Sequence, residues 1–274
     1  MVSEFIRKFS YNPVFIRIVR ATGLRSLGRR IYYLLASPRK GVLRVECAGS
    51  SAFFSTPAPE HLRAIEAVSL EPSLAAMMHA VKPGDTVYDV GSQFGVYTVF
   101  LSGVVGEAGC VVAFEPQKES YARLQQNIGL NKRTNVRPYN QALGERTSQG
   151  KLYIGTMVGN SSLLADAIDG ASENHATPFQ TVSIVEGDAL VKAEDLPIPA
   201  AIKVDVEGFE YAVLKGLQNT LADPRCRLVC IEVHPQFLPP GISPGDLTTI
   251  LKSLGFTRFD ENPSPEPYAL LAYK

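Results

Sequence analysis

The chain has 274 residues, of which 45% are hydrophobic, and its 27 basic and 27 acidic side chains give a net charge of zero. This length, without a low-complexity tract, is enough for one large α/β domain with an appendage. The four cysteines form no C-x-x-C pair, which argues against a disulfide framework or a zinc site. We therefore expect a reducing, cytoplasmic setting. Without an apolar run of about 18 residues or a signal peptide, we also expect a soluble protein.

Although the net charge of the whole chain is zero, its N-terminal segment is strongly basic. Residues 1–44 contain ten Lys and Arg side chains and a single acidic one, Glu4. Apolar residues recur there at helical spacing, which predicts two amphipathic helices separated near Gly23. Such helices either lie on an anionic membrane surface or pack on the main domain or a second subunit. We therefore expect a basic extension over residues 1–58, followed by a catalytic domain over residues 59–274.

Short β-like runs at 42–45 and 52–54 predict a hairpin turning at residues 49–51. Residues 59–80 then show a helical pattern, and Pro72 marks the start of a second helix. These elements lead into a turn at 82–84 that precedes the first strand of the main domain.

A strand, a glycine turn and a helix follow in residues 84–102. Asp89 lies in the strand, Gly91 and Ser92 begin the turn, and Gly95 opens the helix. Glycines let the backbone approach a ligand closely, and a helix N-terminus offers free N–H groups. The dinucleotide-binding fingerprint G-x-G-x-x-G contains a middle glycine that this turn lacks. The pattern therefore favours a nucleotide-like cofactor but does not specify that the cofactor carries a diphosphate.

The next strand ends at Glu115, about 20 residues beyond the glycine turn, where α/β folds bind the ribose hydroxyls of an adenosine. A third strand over 135–140 places Asn140 and Gln141 beside the expected adenine position. Residues 145–195 form a long segment with little helical pattern. A segment of this kind is usually functional, so we expect it to cover the site and to recognise the substrate.

Two further apolar strands end in ionisable residues. Asp205 and Glu207 follow the fourth strand, and Glu232 and His234 end the fifth. Ligands of open parallel sheets bind at the carboxyl ends of the strands, so these side chains should converge on one cleft. Each of them also has a structural interpretation, such as capping the helix that begins near Phe209.

The last two predicted strands, at 256–259 and 268–273, are joined too directly to be parallel neighbours. The sequence therefore predicts an α/β fold of the class I methyltransferase (Rossmann-like) type. It would have five parallel strands and a C-terminal antiparallel hairpin.

Four segments of the chain resemble the FkbM family of S-adenosylmethionine-dependent methyltransferases. They are YDVGSQFGVYT from Tyr88, FEP from Phe114, IKVDVEGFE from Ile202 and IEVH from Ile231. The resemblance covers roughly residues 60–273 and departs from the family at Ser92 and Gln93, where Ala and Asn are commoner. It implies O-methylation of a small molecule, such as a sugar, glycolipid or polyketide hydroxyl, with S-adenosylmethionine as cofactor.

These considerations assign roles to the candidate site residues. The expected cofactor-binding residues are Asp89, Gly91, Ser92, Gly95, Glu115, Asn140, Gln141 and Asp205. The expected catalytic residues are Asp205, His234 and Glu207, and the expected substrate-binding residues are Glu207, Glu210 and Glu232. Either Asp205 or His234 takes the acceptor proton, or a divalent cation held by Asp205, Glu232 and His234 activates the acceptor.

Two other functions remain open from the sequence. One is an NAD-dependent oxidoreductase, and the other is a non-catalytic protein that uses its basic N-terminus for partner or membrane contact. For the methyltransferase we expect a small-molecule acceptor and no nucleic acid. Peripheral membrane contact or a homo-oligomer would then involve the N-terminal extension.

Overall fold

The computed structural model describes residues 41–155, 161–164, 178–261 and 267–274. The two basic helices expected before residue 41 lie outside the described residues, as does His175, the only histidine of the segment at 145–195. Among the described helices, none is both long and apolar enough to cross a lipid bilayer.

The described chain begins with a two-stranded hairpin, as predicted, formed by β1 (Val42–Cys47) and β2 (Ser50–Ser55). The predicted turn at 49–51 is wrong, because Ser50 already pairs with Cys47. The connection is the dipeptide Ala48-Gly49, and both residues have positive φ, 46° and 78°. A two-residue hairpin turn of this kind needs left-handed backbone at both positions, which Gly49 adopts easily.

Alternating helices and strands follow. The first half comprises α1 (Pro59–Ser69), α2 (Pro72–Ala80), β3 (Thr86–Val90), α3 (Val96–Val105), β4 (Cys110–Phe114), α4 (Lys118–Leu130) and β5 (Val136–Tyr139). The second half comprises α5 (Gly187–Ala193), β10 (Ala201–Val204), α6 (Glu210–Gly216), α7 (Gln218–Ala222), β11 (Leu228–Val233), α8 (Pro244–Ser253), β12 (Arg258–Glu261) and β13 (Tyr268–Tyr273).

These strands form one mixed sheet of seven strands in the order β12-β13-β11-β10-β3-β4-β5. The pairs from β11 to β5 are all parallel. Strand β13 is antiparallel to both of its neighbours, β11 and β12. The predicted mixed sheet with an antiparallel C-terminal edge is therefore present, and the carboxyl ends of the parallel strands share one edge.

The segment at 145–195 supplies strands to a second sheet. The four described strands of this sheet are β6 (Ala142–Gly144), β7 (Ser148–Ile154), β8 (Ser161–Ser162) and β9 (Phe179–Glu186), in the order β6-β9-β7-β8. The parallel pairing of β6 with β9 was not predicted from the sequence, because it joins residues about 40 positions apart.

The main sheet is buried on both faces, as a parallel sheet requires. Successive residues of its strands point to opposite sides, so Val87 packs with α1, α2 and α3 while Tyr88 packs with the helices that follow β9. The hairpin belongs to the first of these two cores through Leu43 and Phe54. The expected boundary after residue 58 remains a prediction.

Two asparagines attach the hairpin to α4. Asn127 Oδ1 accepts a hydrogen bond from Ser55 N–H at 2.8 Å, and its amide donates to the Phe94 carbonyl at 2.7 Å. Asn131 accepts from Phe53 N–H at 2.8 Å and donates to the Phe53 carbonyl at 2.7 Å. Because Phe94 lies in the glycine turn after β3, Asn127 also links the hairpin to that turn.

Gly91 allows the ends of β3 and β10 to approach each other. Its φ is +83°, and a Cβ at this position would lie 1.8 Å from the Asp205 carbonyl oxygen. Immediately before it, the Val90 carbonyl accepts a hydrogen bond from Asp205 N–H at 2.9 Å. A side chain at position 91 would therefore push the two strand ends apart.

Gly91→Ala should destabilise the fold more than Gly84→Ala does. Gly84 has a similar φ of +88°, but no atom lies within 4 Å of the point that a Cβ would occupy, so it isolates the backbone penalty. We expect Gly84→Ala to cost about 1–2 kcal/mol and Gly91→Ala about 1–3 kcal/mol more through overpacking. Urea denaturation of both variants checks this. Equal losses would show that the approach to Asp205 is not a constraint.

Candidate active site

The glycine turn is fixed against the neighbouring strand. The N–H groups of Gly91 and Ser92 both donate to the Phe114 carbonyl, at 2.9 and 3.0 Å, and Ser92 Oγ donates to the same oxygen at 3.2 Å. Gly95, with φ +80°, is the N-cap of α3 and packs against Leu124. The predicted glycine turn is therefore present at the carboxyl end of β3, hydrogen-bonded to β4; its binding of a ligand remains a prediction.

Glu115 is held in place by two backbone donors. Gln93 N–H donates to its Oε2 and Gln117 N–H to its Oε1, each at 2.8 Å. The side chain is buried, and burial raises the pKa of Glu115 to about 7. Each carboxylate oxygen keeps a further lone pair. The carboxylate therefore has capacity to accept hydrogen bonds from a ligand.

A pocket of about 510 Å³, including its opening to solvent, lies along the carboxyl edge of the sheet. It is lined by the turn after β3, the end of β4, the start of β6 and the residues after β10, including Gly91, Glu115, Gln141, Asp205 and Glu207. Leu152 of β7 and Leu163, just beyond β8, form another wall. The segment at 145–195 thus contributes to the site, as expected. Its role in substrate recognition remains a prediction.

Asn140 and Gln141, which were predicted to lie beside the adenine, differ in their surroundings. Asn140 donates to the carbonyls of Glu115 and Pro116, at 2.8 and 3.1 Å, and so supports the loop after β4. Gln141 lines the pocket, and its buried Oε1 has no hydrogen-bond partner among the described residues. Gln141 is therefore better placed than Asn140 to bind a ligand.

A second pocket, of about 350 Å³, adjoins the first, and Gly91, Gln93 and Asp205 line both. The remainder of its wall includes Asp89 and, from α1, Ala64 and Val68. Asp89 is buried and accepts a hydrogen bond from Thr98 Oγ1 at 2.5 Å; burial raises its pKa to about 6.

The expected acidic cluster forms beside these pockets. Asp205, Glu232 and His234 each place one potential ligand atom within 4.8 Å of the others. The charge of Asp205, together with burial, raises the pKa of Glu232 to about 7. Glu207 lies next to this group with a positive φ of 47°, and burial followed by the Asp205 charge raises its pKa to about 8. The ends of β10 and β11 therefore concentrate negative charge at one point.

His234 is oriented by Glu210. Its Nδ1 lies 2.8 Å from Glu210 Oε1, which also accepts the Gly208 N–H at 3.0 Å, and its ring stacks on Phe237. Burial lowers the pKa of His234, but the hydrogen bond to Glu210 and the charges of Asp205, Glu210 and Glu232 together outweigh it, and the pKa rises to about 9. Glu210 is fully buried at the start of α6, so it is placed to position His234 rather than to meet a substrate.

Sequence reasoning gave no role to Lys203. Its side chain is only 2% exposed, and its Nζ lies 3.3 Å from Asp205 Oδ2 and 3.7 Å from Glu232 Oε2. Burial lowers the pKa of this ammonium, yet the charges of Asp205 and Glu232 raise it overall. The only sequence signal was a charged residue inside an apolar strand, which is costly to bury without a partner.

The predicted site residues thus fall into adjoining groups. Glu115 and Gln141 border the first pocket and Asp89 the second, whereas Glu232 and His234 belong to the acidic cluster. Asp205 is common to both pockets and to the cluster.

Comparison with known proteins gives relatives of similar length. Hexuronic acid methyltransferase AglP of Haloferax volcanii is 29% identical over 207 residues, which cover 75% of this chain and 78% of the relative. Methyltransferase 1 of Beauveria bassiana is 28% identical over 208 residues, covering 70% and 80% respectively. A solved SAM-dependent methyltransferase from Aquifex aeolicus, 18% identical with a TM-score of 0.38, covers 77% of this chain and 96% of its own, a similarity too distant to bear on function.

The family match covers the part of the chain that builds the site. Residues 89–257, from Asp89 of the glycine-turn strand to the start of the C-terminal hairpin, match the model of the methyltransferase FkbM domain. The match includes more than half of the chain, together with every predicted site residue. The protein is therefore a methyltransferase and belongs to the FkbM family.

Proposed function

We propose that this protein is an S-adenosylmethionine-dependent O-methyltransferase that acts on a hydroxyl of a small, sugar-like acceptor. The position of Asp205 carries the proposal. This residue lines both pockets and also belongs to the acidic cluster, so a methyl donor in the pockets would meet an acceptor held by the cluster. Family membership implies S-adenosylmethionine as the donor.

The residues of the first pocket fit the adenosine part of this donor. Glu115 has free lone pairs for the two ribose hydroxyls, and the unpartnered Gln141 Oε1 suits the amino group of an adenine. The donor supplies a methyl group on a positively charged sulfur. The carboxylates of Asp89 and Asp205 make the surroundings favourable for that charge.

The acceptor hydroxyl becomes a good nucleophile when its proton is removed. Asp205 would accept this proton, or His234 would do so after losing its own, since a pKa of about 9 keeps the imidazole protonated at neutral pH. Glu207 would orient the acceptor. Alignment of the acceptor oxygen with the methyl group contributes most of the remaining acceleration. Glu210 acts through His234 by fixing the orientation of the imidazole.

A divalent cation held by Asp205, Glu232 and His234 is the second route to activation. The Glu210–His234 pair resembles the carboxylate–histidine arrangement that orients metal-binding imidazoles. However, the Lys203 ammonium already lies close to two of the three candidate ligands, and it would repel a nearby cation. This geometry favours the protein base.

The acceptor class rests on the relatives. The Haloferax volcanii relative is named for a hexuronic acid, which supports a sugar acceptor for this chain. Incubation with deuterium-labelled S-adenosylmethionine and a panel of hexosides and hexuronides, followed by mass spectrometry, tests this. We expect the labelled methyl group on a sugar oxygen, with turnover unchanged by EDTA. Methylation of nitrogen or carbon would contradict O-methylation, and loss of turnover restored by Mg²⁺ would establish the cation route.

Cofactor affinity should depend on Glu115 and on pH. Glu115→Ala should weaken binding of S-adenosylhomocysteine by about 1.5–3 kcal/mol, the scale of charge-assisted hydrogen bonds. Because the raised pKa of Glu115 is about 7 and only the carboxylate accepts two hydroxyls, wild-type affinity should fall as the pH decreases below about 7. Calorimetry between pH 5.5 and 8.5, both values set at roughly 1.5 units from that pKa, checks both effects. If the variant keeps the wild-type pH dependence, Glu115 is not the group responsible.

If Asp205 or His234 is the catalytic base, replacing it should lower the rate of methyl transfer without weakening cofactor binding. Asp205→Asn, which keeps the side-chain size, and His234→Gln should retain affinity for S-adenosylhomocysteine, which lacks the sulfonium charge, but lower kcat by about two to four orders of magnitude. Asp260→Asn, on the exposed strand β12, is the matched control and should leave kcat unchanged. If kcat stays near wild type in both active-site variants, the acidic cluster is structural and the base lies elsewhere.

A further inference from the structure

Lys203 lies at the wall of the second pocket, and its ammonium group has hydrogen-bond donors that no described residue accepts from. Its ammonium has three donors, lines that pocket and makes no hydrogen bond among the described residues, although two carboxylates lie within 4 Å. The ring of Tyr97 lies beneath it, with Nζ 4.9 Å from the ring centroid. A buried ammonium without a hydrogen bond is costly, so this position is suited to an anionic ligand.

The position of Lys203 is fixed by its neighbours. The Tyr97 hydroxyl donates to Glu71 Oε2 at 2.8 Å and is 2.7 Å from Ser73 Oγ, which anchors the ring beneath the ammonium. Asp205 and Glu232 limit its movement on another side. A receptor group that is already ordered loses little conformational freedom on binding.

The second pocket offers opposite charges side by side. Lys203 of β10 is the parallel partner of Asp89 in β3, so the two side chains leave the same face of the sheet as neighbours. A buried cation beside a buried carboxylate complements a zwitterionic amino acid. Ala64 and Val68, one helical turn apart on α1, supply an apolar wall for its side chain.

We propose that the second pocket binds the methionine part of the methyl donor and that Lys203 binds its α-carboxylate. This inference rests on the proposed function, because it assumes S-adenosylmethionine as the donor. The two pockets share Gly91, Gln93 and Asp205, so one ligand spans both, with its adenosine beside Glu115 and its amino-acid end beside Lys203. Asp89 then faces the α-ammonium group.

Calorimetry with two ligands tests the assignment without turnover. S-adenosylhomocysteine carries the amino-acid end, whereas 5′-methylthioadenosine lacks it. Lys203→Met should weaken binding of the first ligand by about 10- to 100-fold, the range for a charge-assisted hydrogen bond. It should change binding of the second by less than about twofold, within the additivity expected of an independent site.

Equal losses for both ligands would overturn the assignment, because Lys203 would then only support the site. Unchanged affinity for both would overturn it as well. The proposed function fails in a different way, namely if wild-type protein binds neither ligand. An effect of Lys203→Met on the KM of an acidic sugar, with unchanged S-adenosylhomocysteine affinity, would assign the ammonium to the acceptor instead.

A second variant keeps the test decisive if Lys203→Met does not fold, since that change leaves two carboxylates without their counter-ion. Ala64→Leu narrows the second pocket without touching its charges, and Ala67→Leu on the exposed side of α1 is its matched control. We expect Ala64→Leu to weaken S-adenosylhomocysteine binding by about tenfold or more through overpacking. Binding of 5′-methylthioadenosine should not change. Wild-type affinity for both ligands in Ala64→Leu would overturn the subsite.

Discussion

The close contact between the ends of β3 and β10 is the constraint on which the site depends. Gly91 has no side chain, so the Asp205 carbonyl lies where a Cβ would otherwise be. As a result, Asp205 reaches both pockets and the acidic cluster. A side chain at position 91 would therefore displace Asp205, the residue that the two pockets and the cluster share.

The site is also unusual in its charge. Asp89, Glu115, Lys203 and Glu210 are all nearly or fully buried within one edge of the sheet. Burying ionisable groups is unfavourable unless they are paired or hydrogen-bonded. Asp89 accepts a hydrogen bond from Thr98, and Glu115 accepts from the N–H groups of Gln93 and Gln117. Lys203 is paired with Asp205, and Glu210 is hydrogen-bonded to His234. Buried ionisable groups with perturbed pKa values, such as those of Asp89 and Glu115, are typical of functional sites.

Much of this arrangement could be predicted from local sequence. The strand, turn and helix around Gly91 and the acidic strand ends each lie within a short window, and parallel strands bring their carboxyl ends together whatever the details. The enzyme class was also predictable from these segments, whereas the oxidoreductase alternative received no support from the family match. The turn at Ala48 was missed because its left-handed backbone is not favoured by alanine.

Other features depend on long-range pairing. A lysine in the apolar strand β10 gives no sign of its partner, and only the register with β3 places Lys203 beside Asp89. The second sheet likewise requires β6 to pair with β9, which no local pattern specifies. The use of Asn140 as a support for the loop after β4, and of Gln141 as a pocket residue, depends on side-chain direction at a strand end.

In the proposed reaction, the cofactor and the acceptor meet at Asp205. A crystal structure of the protein with S-adenosylhomocysteine and a methylated or unmethylated acceptor glycoside tests it most directly. We expect the acceptor oxygen to lie within hydrogen-bond distance of Asp205 or His234 and to face the sulfur. An acceptor oxygen that faces the sulfur from the β7–β8 side, away from both residues, would rule out this role for them.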